Sequence, residues 1–151
     1  MGLFQSCDIA ASGMTAQRFR MDTIAENIAN VNTTHAEDGA GPYRRKIVTF
    51  QEKQLNPFTF SSLLDEYRER YKGNGVRVMR VSEDYETDFI MDYDPSNPDA
   101  DENGYVSYPN VNTVTEMTNL IDATRAYQSN VTVFNSLKAM TQNAISIGNG
   151  G

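Results

Sequence analysis

The sequence predicts an α+β fold, with long N- and C-terminal helices paired as an antiparallel coiled coil and a small β-rich middle domain inserted between them. Two apolar stripes at helical spacing, one near each end of the chain, predict the helices. The alternating run Val76-Arg77-Val78-Met79-Arg80-Val81 between them predicts a half-buried strand. Two stripes of matching length must bury each other, because the polar middle offers neither enough apolar surface.

The N-terminal stripe lies in Ile9 to Asn32. Cys7, Met14, Met21 and Ile28 fall seven apart, and Ala10, Ile24 and Val31 form a second row that polar Gln17 interrupts. Steps of three and four put both rows on one helix face. Ser6 is expected as the N-cap, with Asp8 at the positive end of the helix dipole. Gly13 costs about 1 kcal/mol relative to Ala inside a helix, and such a glycine lets another backbone come close. The Asn-rich run Asn27 to Asn32 suits the helix end.

Residues 33–42 read as a loop from their Gly, Pro and acidic content. Tyr43 to Gln51, Val76 to Val81, Tyr85 to Tyr93 and Tyr105 to Tyr108 read as strands. The stretch near 54–75 reads as a loop or short helix, interrupted by Pro57. The turn-rich segment Asp94 to Gly104 connects the last two strands.

The C-terminal helix is expected to begin at the capping box Thr113-Val114-Thr115-Glu116. Met117, Leu120, Tyr127, Val131 and Phe134 form its stripe, which then shifts phase and continues through Leu137, Met140, Ala144 and Ile147. Gly148 ends it. Asn and Thr are frequent along this helix and are poor helix formers, so in isolation it is marginal. Neutral amides and hydroxyls gain value where several helices pack. A helix that folds on assembly is therefore expected. The resulting division is an assembly helix over 1–34, a β-rich middle over 35–109 and a second assembly helix over 110–151.

The chain has 151 residues and a net charge of −7. That balance argues against nucleic acid or an anionic membrane as partner, since both recruit clustered Lys and Arg. Nine acids and no base lie between Glu83 and Glu102. A lone cysteine, Cys7, forms no internal disulfide and reads as a small core residue. No apolar run approaches the ~20 residues of a membrane span, so direct membrane insertion is not expected. The first residues lack the basic-then-apolar pattern of a signal peptide.

Short motifs add little. Asp99 to Gly104 matches the first half of a calcium loop, but the position for a bidentate Glu is Asn110 and Pro109 blocks the helix that should follow. An acidic turn is the expected role, with a calcium-responsive soluble binding module as the alternative. The N-terminal Gly2 matches a myristoylation pattern, and Asn32 and Asn130 match glycosylation patterns; all three read as products of composition. His35, the single histidine, has no recognisable acid, nucleophile or co-ligand. No catalytic residue, cofactor site or metal site is expected.

Several runs nevertheless resemble a known family. Ser12-Gly13-Met14-Thr15-Ala16-Gln17, Met21-Asp22 and Glu26-Asn27-Ile28-Ala29-Asn30-Val31-Asn32 are similar to the N-terminal signature of bacterial flagellar rod, hook and axial proteins. Tyr43-Arg44-Arg45 and Phe50-Gln51-Glu52 follow where that family enters its first strand. The run Asp94 to Val106, then Pro109-Asn110-Val111-Asn112 and Glu116-Met117, resembles its proximal rod members. Ala123 to Asn130 looks like the family's C-terminal helix motif. The charged stretch Gln54 to Gly75 departs from the pattern.

The resemblance implies a structural subunit without enzymatic activity, a proximal rod protein, with another axial subunit of the rod and hook family as the alternative. Its terminal helices polymerise into the tubular drive shaft of the basal body, in the periplasmic rod. Implied partners are copies of the chain, other rod proteins, the flagellar type III export apparatus and the surrounding basal-body rings. Export would need no cleaved leader. The expected assembly interface comprises Ile9, Gly13, Met14, Gln17, Met21, Ile24, Asn27, Ile28, Asn30 and Val31 on the first helix. On the second it comprises Met117, Leu120, Tyr127, Asn130, Val131, Phe134, Leu137 and Met140. Met21→Asp is expected to leave expression and export largely intact and to abolish assembly.

Overall fold

A computed structural model describes residues 3–35, 41–53 and 73–149. In chain order the elements are α1 (Leu3–Ala29), β1 (Lys46–Glu52), β2 (Val76–Glu83), β3 (Ile90–Tyr93), β4 (Tyr105–Tyr108) and α2 (Thr113–Asn149). The two long helices and the small β region between them are those the stripes and the alternating run predict. The reading of a short helix within 54–72 lies outside the described residues.

The chain divides into two units, and each draws on both helices. The first holds Met1–Phe19, Phe50–Met79 and Thr124–Gly151; the second holds Arg20–Thr49 and Arg80–Ala123. Within the first, Gly13 of α1 lies against the Asn130 side chain of α2. Within the second, Asn27 of α1 bonds Glu116 of α2. Fourteen residues forward along α1, from Gly13 to Asn27, correspond to fourteen residues backward along α2, from Asn130 to Glu116. The helices are therefore antiparallel, and the step equals two heptads, the repeat of a coiled-coil seam.

The strands form two ribbons, β1 with β2 and β3 with β4. At one end of the first ribbon the Lys53 N–H donates to the Gly75 carbonyl, and at the other the Asp84 N–H donates to that of Arg45. β3 and β4 are antiparallel, with Ile90 opposite Tyr108 and Tyr93 opposite Tyr105.

Three local expectations need correction. Helix α1 begins at Leu3, so Ser6 and Asp8 lie inside it and no acid occupies its first turn. The cap signal was local, whereas Leu3 and Phe4 upstream continue the helix. The strand expected over Tyr85 to Tyr93 forms only at Ile90–Tyr93. Before it, Asp84 Oδ1 accepts the N–H groups of Glu86 and Thr87, and Asn110 Nδ2 donates to the carbonyls of Asp84 and Thr87. Side chains satisfy that backbone, so it needs no strand neighbour. The third correction concerns the start of α2. Asn112 is its cap: its side chain accepts the Thr115 N–H and its carbonyl the Glu116 N–H. The Glu116 carboxylate, expected to close a capping box, turns inward instead.

The buried apolar set is small: Ala10 and Ala16 in the first unit, and Ile24, Tyr43, Val106, Val111 and Ala123 in the second. Asn27, Asp84, Asn110 and Glu116 are buried beside them in the second unit. Its centre is therefore partly polar.

Candidate assembly interface

The polar centre of the second unit fixes both helices to the β region. Asn27 uses all four of its amide hydrogen-bonding positions inside the chain. Its Nδ2 donates to the Lys46 carbonyl at 2.9 Å and to Glu116 Oε2 at 3.1 Å; its Oδ1 accepts the Lys46 N–H and the Tyr43 hydroxyl, each at 2.9 Å. Glu116, 1% exposed, also receives Arg45 Nη2 at 2.7 Å and Nε at 3.0 Å on its other oxygen. Arg45 reaches Asp84 as well, and its N–H donates to Asn110 Oδ1 at 2.8 Å. A carboxylate shared between a guanidinium and an amide is held by charge-assisted bonds, which offset the cost of burying it.

The same environment moves two protonation equilibria. Burial raises Asp84, but bonds from the Thr87 N–H and hydroxyl, the Glu86 N–H and Arg45 outweigh it and hold the carboxyl below its ordinary range. Burial, then the charges of Glu26, Glu116 and Glu83, push the Tyr43 hydroxyl well above its ordinary value. Tyr43 therefore acts as a neutral donor to Asn27.

In the first unit, Ser12 and Gly13 make two close approaches with adjacent residues. Ser12 Oγ donates to the Ile9 carbonyl at 2.7 Å and accepts the Val76 N–H at 3.1 Å, seating the start of β2 on α1. Gly75, at φ 88°, leaves the room: a Cβ there would lie 2.2 Å from Ser12 Oγ. A Cβ on Gly13 would lie 2.9 Å from the Asn130 amide atoms, whose nitrogen donates to the Ala126 carbonyl. Asn130 is thus a polar knob in a glycine hole. Gln17 Oε1 nearby along α1 is buried and accepts no hydrogen bond among the described residues.

On α2 the least exposed positions keep one heptad register: Glu116, Ala123, Asn130 and Leu137 in one row, Leu120, Tyr127, Phe134 and Thr141 in the other. The expected phase shift is two separate stripes. Met117 (52% exposed) and Met140 (64% exposed) face away from the seam, with Val114, Ile121, Val133 and Ile147. Val133, Met140 and Ile147 are seven apart and form an outer row. On α1, Ile24 and Asn27 are buried, whereas Ile9, Met14, Gln17, Met21, Ile28 and Val31 are partly exposed. Val131 of α2 is also partly exposed. Asn30 caps the end of α1 from within: its Nδ2 donates to the Glu26 carbonyl and its Oδ1 accepts the Thr33 hydroxyl. Thr118, Thr132, Ser136, Thr141 and Ser146 each donate to the carbonyl four residues back, so local helix bonds take up these hydroxyls.

Sequence reasoning missed Tyr43, Arg45, Asp84 and Asn110, because the bonds that unite them span 16 to 71 positions. The one available signal was Glu116, one of only two acids after Asn103.

Among the described residues, no three His, Cys, Asp or Glu side chains converge as metal ligands. In the half-motif for calcium, Asp101 Oδ1 accepts the N–H groups of Asn103 and Tyr105, and Asp99 Oδ2 accepts the Thr34 hydroxyl beside His35. These are turn-closing bonds. No helix, among the described residues, is long and apolar enough to cross a membrane.

The two terminal helices coincide with the segments that known sequences match. Residues 8–36 match the family described as flagella basal body rod protein, and residues 102–147 match the flagellar basal body rod FlgEFG protein C-terminal family. The flagellar basal-body rod protein FlgC of Borreliella burgdorferi strain B31 is 44% identical, over 97% of this chain and 98% of its own length. FlgC of Bacillus subtilis strain 168 is also 44% identical (98% and 99% covered), and that of Salmonella typhimurium strain LT2 is 38% identical (98% and 99% covered). The chain belongs to the FlgC family.

Proposed function

We propose that this protein builds the proximal part of the flagellar rod, polymerising through its terminal helices with copies of itself and with other rod proteins. The observation that carries this reading is the outer apolar row of α2. Val133, Met140 and Ile147 are all more than half exposed. A row of exposed apolar side chains along one helix face marks a surface that a partner can cover. The partly exposed residues of α1, namely Ile9, Met14, Met21, Ile28 and Val31, belong to the same interface. So do Met117, Leu120, Tyr127, Val131, Phe134 and Leu137 on α2. Functionally the chain divides into assembly segments 1–34 and 110–151 around the β-rich middle 35–109. The role is structural and involves no catalysis. The chain reaches the rod through the flagellar type III export apparatus and meets the surrounding rings with its middle domain.

Met140→Asp is the test. Met140 is exposed, so the change leaves the subunit's own fold in place; the partly buried Met21 is less clean, because Met21→Asp also disturbs the packing of α1. The expected result is a strain that makes and exports the protein but is non-motile and lacks complete rods in purified basal bodies. A motile strain with full rods carrying Met140→Asp would overturn the reading.

A further inference from the structure

Charge is segregated between the two units. Among the described residues, the first unit carries five bases (Arg18, Lys53, Arg77, Arg125, Lys138) and two acids (Asp8, Glu52). The second carries five bases and thirteen acids. Three of those bases are engaged locally: Arg45 with Glu116 and Asp84, Lys46 with Glu26, and Arg44 over the rings of Tyr85 and Phe89. The first unit thus has a surplus of positive charge and the second a larger surplus of negative charge.

Each unit also presents an apolar strand face at its charged surface. In the second, Val106 of β4 is fully buried, which turns the alternate face of the β3–β4 hairpin outward. That face carries Met91, Tyr93 and Tyr105, which are 55%, 62% and 44% exposed. The two tyrosine rings pack edge to face at 5.2 Å, and acids at 94, 101 and 102 lie in the loop joining the strands. In the first unit, Arg77 and Met79 project from the exposed side of β2, and the Lys53 N–H is bonded to Gly75 just before that strand. Among the described residues Arg77 donates only to the neutral Gln51 amide and pairs with no acid.

We infer that the Met91–Tyr93–Tyr105 face of one copy docks on the Arg77–Met79 face of a second copy of this chain. The occupant is a copy because the two faces complement each other in charge and in apolar character and are both carried by every subunit. A contact between unlike faces is heterologous, and repetition yields a ring or helical array rather than a closed twofold dimer. Charge complementarity steers such encounters and excludes the like-charged pairing of two hairpins. The inference rests on the reading of the chain as a polymerising rod subunit and specifies which surfaces of the middle region meet.

The test is disulfide trapping between two full-length variants, both in a Cys7→Ser background, one with Met91→Cys and the other with Met79→Cys. The expected result is cross-linking mainly between unlike variants at low salt. The yield falls in 1 M salt, where the Debye length shrinks to ~3 Å. Adding Lys53→Glu and Arg77→Glu to the Met79→Cys chain abolishes the product, and adding Asp94→Lys and Glu102→Lys to the Met91→Cys chain restores it. Equal yields from like and unlike pairs, yields indifferent to salt, or failure of the charge swap would overturn the docking. If an unlike rod protein covers the hairpin, the mixed variants do not cross-link, which also overturns it. The broader reading is scored separately, by whether the untouched chain is recovered in purified basal bodies.

Discussion

The Asn27–Glu116 pair is where single residues decide the most. Glu116 is the side chain on which α1, α2 and the segment before β1 converge, through Asn27 and Arg45. Removing Arg45, the charged partner of the buried Glu116 carboxylate, costs about 3–5 kcal/mol, a large share of the stability of a chain this size. Asp84 adds a pH dependence to the same cluster. Its folded-state pKa lies below the unfolded value of ~3.9. Its stabilising contribution is therefore complete above that value and is lost as pH falls through the lower, folded one. Asp84→Asn is expected to lower stability at pH 7 and to flatten the decline toward pH 3. Urea midpoints of both proteins, measured by circular dichroism across that range, check this. Parallel curves for variant and parent would refute it.

At the scale of elements, the helices were legible because heptad spacing is a local property, but their register was not. The sequence marks Gly13 as a point of close approach; that its partner is Asn130 depends on a fold that brings positions 117 apart together. The capping box misled for a related reason. Thr113 and Glu116 have the right spacing, yet Asn112 is the better cap, and Arg45 competes for the carboxylate from 71 positions away. The outer stripe of α2 was visible as apolar residues but was merged with the seam, since periodicity gives a face only relative to a partner. The glycine hole yields a quantitative expectation. Ala in place of Gly should gain about 1 kcal/mol of helix propensity. At position 13 that gain is offset by displacement of the Asn130 amide, 2.9 Å from the new Cβ. In an Asn130→Ala background the obstacle is gone. A double-mutant cycle with Gly13→Ala and Asn130→Ala should therefore give a coupling of about 1 kcal/mol in urea unfolding, whereas additivity would remove the knob-in-hole account.

At the scale of the molecule, the two units differ in how they are held. The second unit closes around Glu116, Asn27, Val106 and Val111, all nearly inaccessible to solvent. Among the described residues, the first has only Ala10 and Ala16 as buried apolar side chains, and from Gln142 to Gly148 every residue of α2 is exposed. A helix end with exposed backbone bonds and little buried apolar surface opens at a cost near zero. Ser and Thr hydroxyls bonded to carbonyls of their own helix do not compensate, since such bonds slightly destabilise and bend it. Hydrogen exchange on the isolated subunit should thus find amides over 142–148 exchanging far faster than those over 116–123 of the same helix. The same amides should be protected in purified basal bodies, where neighbouring copies cover Met140, Ile145 and Ile147. Uniform protection along α2 in the isolated subunit would mean that its C-terminal turns are stable unaided. Slow exchange confined to the assembled state would mean that polymerisation supplies the stability that the C-terminal turns of α2 lack on their own.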